Sequence, residues 1–263
     1  MKKSLLTATL LLIVANGFAQ VRYGITGSGQ GSTISASVDL TNLGPAFGVP
    51  IIPVNARTGF RAGLMADFPL SGRFSIRPQL LYSAKGGDVQ TGAFVAGLLQ
   101  KFSPNTPTTT IAGIESKAII NYMELPVQLL YGIFAGPGRL LVGAGPYAAV
   151  AVGGSINGKA IDFNTSNFRK LDLGITASVG YELTMGLSLS AYYTHGLTNI
   201  SKNSTPNLGG INPLDPAASL AALDPSAFGG TLHNRSYGIS VGYLLPSQRQ
   251  MGKGTLFLRS NFQ

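Results

Sequence analysis

The chain has 263 residues, with 19 Lys and Arg against 10 Asp and Glu, 44% hydrophobic residues and only 11% charged ones. A globular chain usually has about a quarter of its residues charged, so less than half that share leaves little with which to build a surface facing water. The lack of Cys excludes a disulfide framework, thiolate catalysis, Cys-bound zinc and iron–sulfur clusters, and no run of 18 apolar residues is present to cross a bilayer as a helix, which leaves the membrane β-barrel.

In residues 1–19, Lys2 and Lys3 precede an apolar stretch over 5–14, followed by the small-x-small site Gly17-Phe18-Ala19. This reads as a cleaved secretory signal peptide, too short to span a bilayer. A barrel over 20–245 and a periplasmic tail over 246–263 are expected to follow.

The barrel is read from period-2 alternation. It is clearest over 170–183, where Leu171, Leu173, Ile175, Ala177, Val179, Tyr181 and Leu183 alternate with Asp172, Gly174, Thr176, Ser178, Gly180 and Glu182. The same count gives eight strands, at 21–35, 57–68, 73–85, 117–133, 139–152, 170–183, 186–197 and 235–244. Connections alternate between short turns (69–72, 134–138, 184–185) and long loops (36–56, 86–116, 153–169, 198–234). An even strand number with short periplasmic turns and long outer loops is the pattern of an all-β, eight-stranded, antiparallel, up-and-down outer-membrane barrel. The long loops, rich in Pro, Asn, Gly and Thr, are expected to be irregular apart from a short helix over 215–223. There Asp215 caps and Pro216 takes the first helical position. The tail after Pro246 is expected to be flexible.

A soluble lipocalin-like barrel shares this alternation, and the aromatic residues separate the two. On the apolar face, Phe60, Tyr82, Tyr193 and Tyr237 fall near the loop ends of their strands, and Phe68, Phe74, Tyr131, Tyr181 and Tyr243 near the turn ends. That arrangement predicts two girdles, with eight residues between them covering on the order of 19 Å of depth on tilted strands. The opposite face carries Arg61, Asp67, Arg77, Gln79, Glu124, Gln128, Asp172 and Glu182 among Gly and Ser. It predicts a polar lumen in which Arg61 and Arg77 pair with those acids, closing the barrel to diffusion.

Basic residues gather at the loop-side strand ends: Arg57, Lys85, Lys117, Arg169, Lys170 and Arg235. They predict a cationic outer rim able to hold lipopolysaccharide phosphates through charge-assisted hydrogen bonds. Catalytic candidates are few, since only His195 and His233 are present. A lipid A esterase of the deacylase type would need a Ser two residues beyond a lipid-facing His, and Leu197 stands there. The run Gly27-Ser28-Gly29-Gln30-Gly31 lacks the Lys and helix of a phosphate loop and reads as barrel wall. No cofactor, metal or nucleic-acid partner is expected.

Three stretches, NYMELPVQLLY (121–131), DLGITASVGYEL with LSLSAYYTHGLTNI (172–200) and NRSYGISVGYLL (234–245), resemble the PorT-like outer-membrane β-barrel proteins of Bacteroidota-type bacteria. The resemblance covers the last five strands well and the first three only in pattern. It implies an eight-stranded outer-membrane barrel, mostly of unassigned role; one namesake group is linked to protein secretion, but the matching residues are wall residues and do not transfer that role. The leading expectation is a non-enzymatic structural or binding protein acting through its outer loops on lipopolysaccharide or another envelope or extracellular protein. An accessory component of a transport or secretion complex is the alternative, and a lipid-modifying enzyme the third.

Overall fold

The computed structural model describes residues 21–37, 51–52, 54–102, 113, 115–166, 168–202 and 231–246. Eight long strands form the barrel: β1 (Arg22–Ser37), β3 (Val54–Ser71), β4 (Phe74–Val89), β5 (Ser116–Ala135), β6 (Gly138–Ile156), β8 (Leu171–Leu183), β9 (Leu187–Gly196) and β10 (Thr231–Leu244). Two short strands, β2 (Ile51–Ile52) and β7 (Lys159–Ala160), pair with β1 and β6. Each long strand is antiparallel to the next, and β10 returns to β1 from Gly24↔Leu244 to Ser37↔Thr231. The sheet is a closed eight-stranded barrel. Closure satisfies every ladder within the wall, as hydrocarbon requires.

Alternation fixes which way each residue faces. Along β8, Leu171, Leu173, Ile175, Ala177 and Val179 are exposed on the outside, while Asp172, Gly174 and Thr176 are buried inside. Turns at one end are tight, with Gly136 (φ 57°) between β5 and β6 and Gly186 (φ 92°) between β8 and β9, backbone conformations that favour glycine. Both ends of the described barrel, Arg22 and Leu244, lie at this turn end.

Several strands run past their expected ends because the polarity of the two faces inverts near the loop end. On β5, Ala118 and Ile120 point inward while Lys117 points out, the reverse of the pattern around Glu124 and Leu125. The interior there is apolar, with Ile34, Val89, Ala118, Ile120, Ala149, Ala151 and Leu232 in one cluster. That cluster also holds Phe163, Phe168 and Ile200 from the loops and Phe94 from α1 (Thr91–Phe102). The helix α1 corrects the expectation that loop 86–116 is irregular. Gly92 and Gly97 lower its intrinsic propensity; packing of Phe94 into the cluster compensates. The expected signal peptide, the helix over 215–223 and all but the first residue of the tail lie outside the described residues.

Candidate functional site

All nine girdle aromatics, Phe60, Phe68, Phe74, Tyr82, Tyr131, Tyr181, Tyr193, Tyr237 and Tyr243, sit on outward-facing positions of the wall. Phe60 and Tyr82 meet with ring centroids 5.9 Å apart, and Phe74 and Tyr131 at 5.0 Å. The Tyr237 ring lies over Gly31 across the β1–β10 ladder, where a Cβ would come within 2.8 Å of the ring. An aromatic covering a glycine in this way pins the register of the closing pair.

The lumen contains two ionic layers. At the turn end, Asp67 and Glu182 are shared by three guanidinium groups. Arg77 donates from Nε to Asp67 Oδ1 (3.2 Å) and from Nη2 to Glu182 Oε2 (2.7 Å). Arg139 Nη2 reaches the same two carboxylates at 3.2 and 3.0 Å. Arg22 donates to Glu182 at 2.6 Å and also to Asp67, and the Ser75 hydroxyl donates to Asp67 at 2.9 Å. Both acids are almost fully buried, and every carboxylate oxygen accepts from at least one guanidinium, the condition for tolerating a buried charge. Arg77 thus pairs with two of the acids the sequence offered. Arg22 and Arg139 were not foreseen as lumen residues.

Nearer the loops, Lys85 Nζ lies 2.5 Å from Glu124 Oε1 and 4.8 Å from the Tyr147 ring centroid. Its exposure is 1%, which removes Lys85 from the expected outer rim: β4 continues to Val89, so Lys85 is an inward residue well inside the barrel. Arg61 Nη1 is 3.8 Å from Glu124 Oε2, and its guanidinium stacks 4.0 Å over the Tyr192 ring. Tyr192 donates to Gln30 Oε1 at 3.0 Å, and Gln30 Nε2 donates to Ser83 Oγ at 3.0 Å. Asp172 accepts from Tyr147 Oη (3.2 Å) and Asn234 Nδ2 (2.9 Å) rather than from an arginine. Gln128 donates to Thr176 at 3.3 Å and accepts from Ser178 at 3.2 Å; Gln79 also faces inward, beside Gln128. The apolar cluster caps this layer on the loop side.

Five of the six expected rim cations stand at the loop end. Lys117, Arg169, Lys170 and Arg235 are exposed, whereas Arg57 is tied to Asp88 at 3.1 Å. Lys170 donates to Asn164 Oδ1 at 3.1 Å. Asp162 accepts from the Asn164 backbone N–H and the Thr165 hydroxyl, which hold its carboxyl below the ordinary value.

The family model described as "Outer membrane protein beta-barrel domain" matches residues 18–202, more than half of the chain. The chain belongs to this family. No curated protein matches it. Among solved structures, this barrel is similar to Ail, the attachment invasion locus protein of Yersinia pestis, at 8% identity over 86% of this chain and 99% of that one, with a TM-score of 0.37. Neisserial surface protein A gives 13% identity over 85% and 96% of the two chains, with a TM-score of 0.39. AlkL, an outer-membrane protein solved in lipid bilayers, gives 11% over 86% and 91%, with a TM-score of 0.38.

Within this outer-membrane barrel, His195 is on the outer face, stacked on Tyr193 with centroids 6.4 Å apart. Asp172, the acid nearest in the β8–β9 register, points into the lumen on the opposite side of the wall. Among the described residues no Ser or carboxylate hydrogen-bonds to His195.

Proposed function

We propose that this outer-membrane barrel is a non-enzymatic binding protein that works through its loop-side surface rather than its lumen. The observation that carries this reading is the double seal, a layer of three arginines on two carboxylates at one end and an apolar plug at the other. The two layers fill the described lumen, which favours the exposed loop end and the lipid face as the acting interfaces. With the loops outside the cell, Lys117, Arg169, Lys170 and Arg235 stand just beyond the Phe60–Tyr82 girdle, at the depth of lipopolysaccharide headgroups. Cations there attract phosphates through charge-assisted hydrogen bonds. Arg57 contributes less, being held by Asp88.

The finer affiliation with PorT-like proteins rests on residues 121–131, 172–200 and 234–245, all but a few of them wall residues. It supports membrane placement and supplies no secretory role. The test is lipopolysaccharide association of the purified protein. Replacing Lys117, Lys170 and Arg235 together by Gln is expected to weaken it, each lost phosphate contact costing on the order of 1 kcal/mol. Undiminished association in the triple variant would leave the rim as ordinary solvated charge.

A further inference from the structure

Between the two ionic layers lies a partly open chamber of about 40 Å³, and we propose that it is a binding site for a small monovalent anion of the halide class. A single water needs about 10–15 Å³ of such space, so the chamber has room for one halide with a water beside it. Its charged lining consists of Arg61 and Arg77, with no carboxylate. The rest includes the Ser190 hydroxyl and the Gln79 amide, with Thr26 and Ser240 sharing a hydrogen bond (2.8 Å) and Ser188 donating to Gly242 O (3.3 Å).

An independent observation points to the same ligand. Arg61 Nη1 is buried and has no hydrogen-bond partner. Its nearest acid, Glu124, stands 3.8 Å away and is already engaged by Lys85 at 2.5 Å. The charge count agrees. The described lumen has five cationic side chains (Arg22, Arg61, Arg77, Lys85, Arg139) against four carboxylates (Asp67, Glu124, Asp172, Glu182). The excess falls in the turn-end layer, three arginines on two carboxylates, whose Arg77 lines the chamber opposite Arg61. An uncompensated charge in a narrow lumen is costly, and one anion in the chamber brings the sum to zero.

The test uses the full-length chain refolded into micelles in sodium chloride, sodium bromide or sodium gluconate at equal ionic strength. Gluconate is too large for the chamber. Chloride and bromide are expected to lower the unfolding equilibrium constant about tenfold at ten times their dissociation constant, relative to gluconate. Bromide should give an anomalous diffraction peak beside Arg61. Arg61→Gln is expected to lose the halide dependence and Arg235→Gln, at the rim, to retain it. The proposal is overturned if halide and gluconate act alike and no bromide peak appears, since the chamber then holds water only. Loss of the dependence in Arg235→Gln instead would equally overturn it. If Arg61→Gln does not fold, the bromide peak in the unmodified protein decides.

Discussion

Glu124 is the carboxylate on which the buried Lys85 depends, with Arg61 3.8 Å away. Glu124→Ala leaves the ammonium without its carboxylate in a site closed to solvent, and is expected to destabilise the barrel by roughly 3 to 5 kcal/mol. Asp88→Asn breaks a pair whose side chains are 32% and 24% exposed and should cost under about 1 kcal/mol. Denaturant unfolding of the two variants in micelles measures the difference; equal losses would mean that water reaches Glu124 as freely as the rim. The sequence made Arg61, Arg77 and Glu124 legible because each has alternating strand neighbours on both sides. Arg22 and Arg139 sit at the first and second positions of their strands, and inward Leu141 further disguises the phase of Arg139. Lys85 was misplaced for the same reason in reverse: the strand was ended too early, and a residue inside the barrel was read as its rim.

At the scale of elements, that early ending has a physical cause. Apolar-out, polar-in alternation holds only in the membrane belt, and where β4 and β5 leave it their ladder continues through Asp88↔Lys117 with the apolar side turned inward. A count keyed to apolar residues facing out stops at the change of sign. Residues 157–158 did carry a legible signal: Asn157 and Gly158 both have positive φ, as the tight turn of the β6–β7 hairpin requires. For α1 no strong local signal exists, since its formation depends on Phe94 reaching the cluster. A buried Phe→Ala change costs roughly 3 to 5 kcal/mol, more than a lone helical turn or two can offset. Phe94→Ala is therefore expected to expose residues 91–102 to protease while the folded barrel keeps its electrophoretic mobility. Loss of the folded band would instead make α1 integral to the wall.

For the whole molecule, the ionic layer and the apolar cluster lie in series along the described lumen. Purified protein in a planar bilayer is expected to give no stable porin-sized conductance, and a steady open level would overturn the sealed lumen and favour a transport role. One further consequence comes from the β1–β10 ladder, which joins residues 194 to 220 positions apart in the chain, from Ser37↔Thr231 to Gly24↔Leu244. Contacts so distant form late, because the chain between them must be ordered first. Until β10 has emerged, β1 is a bare edge, and hydrocarbon tolerates no such edge. A chain broken off before Thr231 is thus more than a shorter barrel: it lacks the partner that closes β1 and is expected not to insert as a barrel, so β1 has to be sheltered until β10 arrives.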